Sequence, residues 1–372
     1  MYASRQESVR RRFLLLAAAA SLAVGCSGRP TDTALAEAPG GSGSPVGDPA
    51  GLCGRIDRAV AHVRDGRRLD ADVHGAWQVV HGILAFGRDF PLAHDGQVTG
   101  AVDYLLGGGS LTGWQLRPGR HGLFAVVEEG STTGQGHPDQ WLGYLSQCGL
   151  AGIPIDTTIR AGGRDYTVGD LLEQALADIR PGQEATWTLM ALSAYRPPDF
   201  SWQASDGSRW TTERVVQMEA DADLSASACG GAHRLYGLVV ALKKHLGATG
   251  GSRADLTGGW AAAADTIDDA IDRARRFQQA DGSFSIHSFD RPGTSPDAIA
   301  RLGASGHIFE VLAVALDDEQ LAEPWVTRAA DRLVTLLEQT ADVDVECGAL
   351  YHAAHGLLLY RQRTCKAASA GG

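Results

Sequence analysis

The 372-residue chain carries 33 Lys and Arg against 44 Asp and Glu, a formal charge of −11, and outside its N-terminal arginines it has no basic cluster; this excludes a nucleic-acid-binding surface. Hydrophobic residues make up 44%, enough for a large core, and the six cysteines lack the CxxC spacing of a zinc knuckle. No GxSxG, P-loop or dinucleotide signature is present, so no familiar reaction class is readable.

At the N-terminus, Arg10, Arg11 and Arg12 precede "FLLLAAAASLAVG", an apolar run too short to span a bilayer and flanked as a signal peptide is. The run ends in "LAVGC", which resembles a bacterial lipobox. That likeness implies cleavage after Gly25 and a lipid on Cys26, anchoring the mature chain to a bacterial membrane, facing the periplasm or cell exterior. "RRRFL" also resembles the twin-arginine export signal, with Val9 where Ser or Thr is usual and Leu15 where Lys is common. The alternative is an ordinary Sec lipoprotein signal. Residues 26–50 open on Cys26 and continue as "SGRPTDTALAEAPGGSGSPVGDPA" (27–50), almost without large apolar side chains, and read as the lipidated cysteine and a flexible tether.

Residues 51–372 show no second low-complexity break before "KAASAGG" and read as one domain. Cys53, Cys148, Cys229, Cys347 and Cys365 remain there, an odd number that precludes complete internal pairing. Cys53 with Cys365 would staple the two ends, and Cys229 with Cys347 is another candidate bridge; sequence alone does not choose.

Apolar residues recur at three-and-four spacing along this domain, whereas strand-like alternation is scarce. The periodicity predicts helices near 52–65, 72–87, 97–107, 138–149, 168–180, 184–195, 211–220, 229–246, 260–279, 305–317, 321–340 and 347–362. They alternate in character: "AADTIDDAIDRARRFQQ" and "PWVTRAADRLVTLLEQ" are amphipathic, whereas "HRLYGLVVAL" and "IFEVLAVAL" are apolar all round and must be enclosed. The expected fold is therefore all-α, an (α/α)6 toroid of six helical hairpins whose enclosed inner helices run parallel.

"ARRFQQADGSFS" (274–285) resembles the QW-type repeat of squalene-hopene and oxidosqualene cyclases, in which Gln caps a helix end and an aromatic packs after Asp-Gly-Ser. "AHRLYGLVVAL" and "LYHAAHGLLLY" resemble inner-helix segments of protein prenyltransferase β subunits. With "GHPDQWL", "GQEATWTL", "ACGGAH", "GHIFE" and "ECGALYH", the chain resembles a bacterial lipoprotein family of the terpenoid cyclase and protein prenyltransferase-like toroid superfamily. The likeness is clear over the C-terminal half and implies architecture rather than chemistry.

Parallel inner helices would gather their first turns at one rim: Asp72 and His74; His137, Asp139 and Gln140; Gln183, Glu184 and Trp187; Cys229 and His233; His307 and Glu310; Glu346, Cys347 and His352. Helix N-termini aimed there suit an anionic or polyhydroxyl ligand. Asp72, Asp139 and Glu184 also suit plain capping, and His81, His245 and His355, further along their helices, suit core or surface roles. Histidine is not a favoured N-cap, so its recurrence at the start of five inner helices marks a functional rim. His307 and Glu310, at i and i+3, share a helix face, a pairing useful for proton transfer. His307, Glu310, His233 and His352 are the catalytic candidates. His74, Trp77, His137, Asp139, Gln140, Glu184, Trp187, Tyr236, Glu346 and Tyr351 are candidate lining, although aromatics at such spacing also suit core packing.

The prenyltransferase resemblance implies a zinc held by an Asp-x-Cys pair and a histidine, and His352 matches that histidine. "GASGHIFE" lacks the Asp-x-Cys pair, so that site is not expected. His233, His307 and His352, with Cys229 or Glu310, are suitable ligand types without diagnostic spacing, and no metal or cofactor is assigned. "EADADLS" lacks the adjacent acid pair of the cyclase proton donor. Three functions remain: an acid-base enzyme acting on a small molecule or envelope carbohydrate, a non-catalytic binding or scaffold toroid, and a prenyl-lipid or terpenoid enzyme. On the first, His307→Ala or Glu310→Ala is expected to spare the fold and abolish turnover.

Overall fold

The computed structural model describes residues 49–128, 136–148 and 152–365. The expected signal peptide, Cys26 and all of the tether but Pro49 and Ala50 lie outside these residues; those two already belong to the first helix.

The chain is mostly helical. Helices α1 (Pro49–Ala61), α2 (Ala76–Phe86), α3 (Ala101–Leu106), α4 (Gln140–Gln147), α5 (Val168–Asp178), α6 (Thr186–Tyr195) and α7 (Thr212–Ala220) each overlap an expected one. So do α8 (Ala232–Thr249), α9 (Gly258–Phe277), α10 (Ala298–Ala315), α12 (Pro324–Gln339) and α13 (Cys347–Thr364), while α11 (Asp318–Leu321) adds one turn before α12. The helix expected over 97–107 begins late, because Gln97–Gly100 is a strand paired with Pro91–His94. The strands are short and lie in small sheets: β1 (Leu69–Asp70), β2 (Pro91–His94) and β3 (Gln97–Gly100), then the hairpins β4 (Trp114–Pro118) with β5 (Leu123–Val127), β6 (Thr158–Ala161) with β7 (Arg164–Thr167), and β8 (Ser201–Gln203) with β9 (Arg209–Thr211). The β7 and β9 strands run directly into α5 and α7, where Thr167 and Thr211 accept from the N–H of Asp170 and Arg214 and start each helix.

Burial follows the two helix types. Helix α6 is buried continuously from Thr186 to Ser193 and α13 from Cys347 to Leu357, whereas α9 and α12 bury one stripe each, such as Trp325, Val326, Ala329, Ala330 and Leu333. The enclosed helices touch in succession: α2 packs on α4, α4 on α6, α6 on α8, α8 on α10, α10 on α13, and α13 back on α2. Helix α10 is long and apolar enough to cross a bilayer, but 56% of it is buried and it lies between α8 and α13, as a core helix does.

Helix α10 starts seven residues before its expected first turn, at Ala298 instead of residue 305. Gly303 reads as a loop residue and Gly306 as the second residue of the expected helix, since glycine costs a helix about 1 kcal/mol relative to alanine. Packing requires the second of them. A β-carbon on Gly306 would meet Ala353 N at 2.9 Å, and one on Gly356 would meet Glu310 N at 2.9 Å, so α10 and α13 touch backbone to backbone. Gly303 lies by Ala349, Gly306 by Ala353 and Glu310 by Gly356, a pairing that makes the two helices run in the same direction.

A Cys53–Cys365 disulfide joins α1 to the C-cap of α13, with the Cα atoms 6.0 Å apart. The other candidate bridge, Cys229 to Cys347, does not form: Cys229 is an exposed free thiol. At the end of α9, Gln278 donates to Gly282 O at 3.1 Å and Trp325 O at 2.8 Å, clamping that end to α12, and Phe284 packs edge-on against Trp325.

Candidate functional site

The polar side chains inside the run of enclosed helices converge on α13. Glu310, on α10, is 3% exposed and accepts from His352 Nδ1 at 2.7 Å and from His355 Nδ1 at 2.6 Å. Because α10 and α13 run in the same direction at glycine distance, one carboxylate reaches histidines spaced i and i+3 on the facing helix. Burial works to raise the Glu310 carboxyl, but the two imidazoles outweigh it and hold the group well below the usual carboxylate range. Burial pushes His352 the other way, down to about 3, helped by His307 and His233 and opposed by Glu310. Glu310 is thus an anion and His352 a neutral ring whose Nδ1–H is committed to it, which leaves the Nε2 lone pair free.

That lone pair faces three other rings. His233 Nε2, on α8, lies 3.4 Å from His352 Nε2, and the His307 ring centroid, on α10, lies 4.1 Å from that of His352. His307 gives its own Nδ1 to Gly303 O at 2.8 Å, one turn back. His81, on α2, stands edge-on to His352 at 5.1 Å and gives Nδ1 to Trp77 O at 2.5 Å. Burial holds His81 well below the ordinary imidazole value, so it too is neutral. Tyr144, on α4, bridges Gln140 at 3.1 Å and His81 Nε2 at 3.5 Å, and Trp187, on α6, tilts against His233 at 4.8 Å.

Behind the imidazoles is a void of about 10 Å³, bounded by Leu84, Tyr144, Trp187, Met190, Tyr236 and Glu310. It has room for a single water and none for a sugar ring or a prenyl chain. Access comes from the other side, where Cys229 is exposed and His307 half-buried. Cys229 precedes α8 with φ 51°, followed by Gly230 at 61° and Gly231 at 82°. A left-handed conformation is strained for cysteine, and it seats the thiol above the ring of imidazoles.

Of the residues singled out in the sequence, the structure brings together His233, His307, Glu310, His352, Trp187, Tyr236 and Cys229, with Trp77 and Gln140 behind them. Others serve local structure. His74 accepts from Asp70 N at 2.9 Å, and His137 accepts from Asp139 N at 3.2 Å. Asp139 accepts from the Thr188 hydroxyl at 2.9 Å, and Glu346 caps α13 by accepting from Gly348 N and Ala349 N at 2.8 Å each. Burial raises the Glu219 carboxyl above its ordinary value and the charge of Glu184 adds a little to that, while Tyr351 packs against Phe86 and Phe90.

Two expectations need correction. His307 and Glu310 do not pair with each other; both partners of Glu310 are on α13. Nor are they in a first turn, because the early start of α10 puts them three turns down. His81 and Tyr144 are the members that sequence reasoning missed, His81 having been taken for a core or surface group. The signal for Tyr144 was its i+4 spacing from Gln140. Compared with models of protein families, with curated proteins and with solved structures, the chain shows no match.

Proposed function

We propose that the enclosed helices are the inner ring of an (α/α)6 toroid in an exported lipoprotein tethered through Cys26, and that its imidazole centre carries out acid-base chemistry on a small polar molecule or an envelope carbohydrate. The ring is supported by the succession of contacts that returns from α13 to α2. Export is supported by the Cys53–Cys365 disulfide, a bond that persists in oxidising compartments. The observation that carries the chemistry is the Glu310 carboxylate shared between His352 and His355. It fixes the tautomer of His352 and turns its unprotonated Nε2 toward His233, an arrangement that acid-base chemistry uses and a packing histidine does not need.

A non-catalytic reading is favoured by one feature, the small void, which leaves no water-excluding chamber for a substrate. The void accommodates a prenyl chain no better than a sugar ring, so it gives the prenyl and terpenoid alternative no support either. The test is to incubate the detergent-solubilised full chain, and its His307→Ala variant, with envelope glycan fragments and follow both products and bound ligand by mass spectrometry. Products formed by the wild type and lost in the variant support catalysis. Ligand retained unchanged by both, with no product, overturns catalysis in favour of binding.

A further inference from the structure

Cys229, His233 and His307 each offer one ligand atom, and those three atoms lie within 4.8 Å of one another. His352 lies outside that mutually close set but beside it, its Nε2 3.4 Å from His233 Nε2. Two nitrogens bound tetrahedrally to one metal at about 2.0 to 2.1 Å stand about 3.3 to 3.4 Å apart, so these two are already at ligand spacing. A thiolate and an imidazole on one such ion stand about 3.5 Å apart, so the cysteine, within 4.8 Å of both imidazoles, closes by about 1.3 Å at most on binding. The outer partners are also of the right kind. His352 gives Nδ1 to Glu310 and His307 gives Nδ1 to Gly303 O, which leaves Nε2 as the free donor atom in both.

A hydrogen bond from His233 to His352 would account for that one distance. It does not account for the second ring at 4.1 Å, or for a cysteine held in a left-handed turn over the same point. We infer that His233, His307, His352 and Cys229 bind one divalent transition metal of the zinc class, with Glu310 as the outer carboxylate that orients His352. Mixed imidazole and thiolate donors exclude the oxygen-seeking calcium and magnesium. The three imidazoles hold the ion from the buried side, and Cys229, exposed, is the ligand that a water or substrate would displace. This inference rests on reading the same centre as reactive: a metal-bound water, acidic near neutral pH, would then do the proton work assigned above to a free imidazole.

The test uses the full chain, purified in detergent without a metal-affinity step from cells grown with metals available. Elemental analysis is expected to find one transition metal per chain, falling at least tenfold in His352→Ala and in His233→Ala with circular dichroism unchanged. Should those variants fail to fold, the half-buried His307→Ala gives the same readout. Cobalt substitution is expected to give a thiolate-to-metal charge-transfer band that Cys229→Ser abolishes while keeping cobalt bound. Glu310→Gln is expected to weaken affinity about 10- to 100-fold. Metal-free wild type that takes up neither zinc nor cobalt overturns the inference, as does a metal undiminished in folded His233→Ala and His352→Ala. Turnover that persists in metal-free protein overturns the metal and leaves the acid-base reading standing. A bound metal without turnover of any glycan does the reverse.

Discussion

His352 and Glu310 face each other across the α10–α13 contact, Nδ1 to Oε2 at 2.7 Å, with their side chains only 1% and 3% exposed. The pairing changes what removal of the carboxylate should do. Glu310→Ala would strand two buried imidazole N–H groups, and each buried donor left unsatisfied costs about 1 to 3 kcal/mol. Chemical denaturation is expected to show that loss, with a smaller one for Glu310→Gln, which keeps one acceptor oxygen. A loss below about 1 kcal/mol in Glu310→Ala would show that the imidazoles find other partners. The rim reading instead has Glu310→Ala spare the fold.

Gly306 and Gly356 set the distance over which that pairing works. Adding a methyl to either forces apart two helices that touch through their backbones, and overpacking of this kind costs about 1 to 3 kcal/mol. Both Gly306→Ala and Gly356→Ala are expected to lower the urea midpoint despite the better helix propensity of alanine. An unchanged or higher midpoint would mean that the α10–α13 seam can open without penalty.

The two free thiols among the described residues, Cys148 and Cys229, should differ in reactivity. Burial pushes Cys148 up to about 11, so at pH 8 about one molecule in a thousand carries the thiolate there, while Cys229 is exposed. Iodoacetamide at pH 8 is expected to label Cys229 and leave Cys148 untouched until denaturant is added. Labelling of Cys148 in the folded protein should rise about tenfold per pH unit up to pH 11, as its thiolate fraction does. Equal rates at the two positions would contradict the burial of Cys148. A chelator that accelerates labelling of Cys229 alone would report a metal on its sulfur.

Removing the Cys53–Cys365 bond by Cys53→Ser with Cys365→Ser is expected to lower unfolding free energy by about 2 to 5 kcal/mol. Comparing denaturation of the double variant with the oxidised wild type measures it. Reduction of the wild type should reproduce most of the loss; if it does not, the substitutions act through packing instead.

The helix stripes and the polar end of "ECGALYHAAHGLLLY" were legible because both depend on local periodicity. His352 and His355, three apart, had to share a face, and they share a partner as well. That partner was hidden. Nothing in "GASGHIFE" announces that Gly306 tolerates a helix because another backbone lies 2.9 Å from where its β-carbon would be. Reading Gly303 as loop cuts α10 short, which puts His307 and Glu310 at a rim and pairs them with each other. His81 was missed for a related reason: its role comes from His352 and Tyr144 on other helices, and no spacing within α2 encodes them.

From Cys53 to Cys365 the polypeptide is a closed covalent loop, since the disulfide completes what the peptide bonds leave open. A protease that cuts one surface loop of such a molecule creates two new ends but releases nothing. The nicked chain migrates as a single species until a reductant separates the pieces. The same closure makes the position of the natural ends arbitrary. Because residues 53 and 365 already stand 6.0 Å apart, a short linker between them would let the chain begin at an exposed hairpin such as Gly162–Gly163 and traverse the same helices in a rotated order.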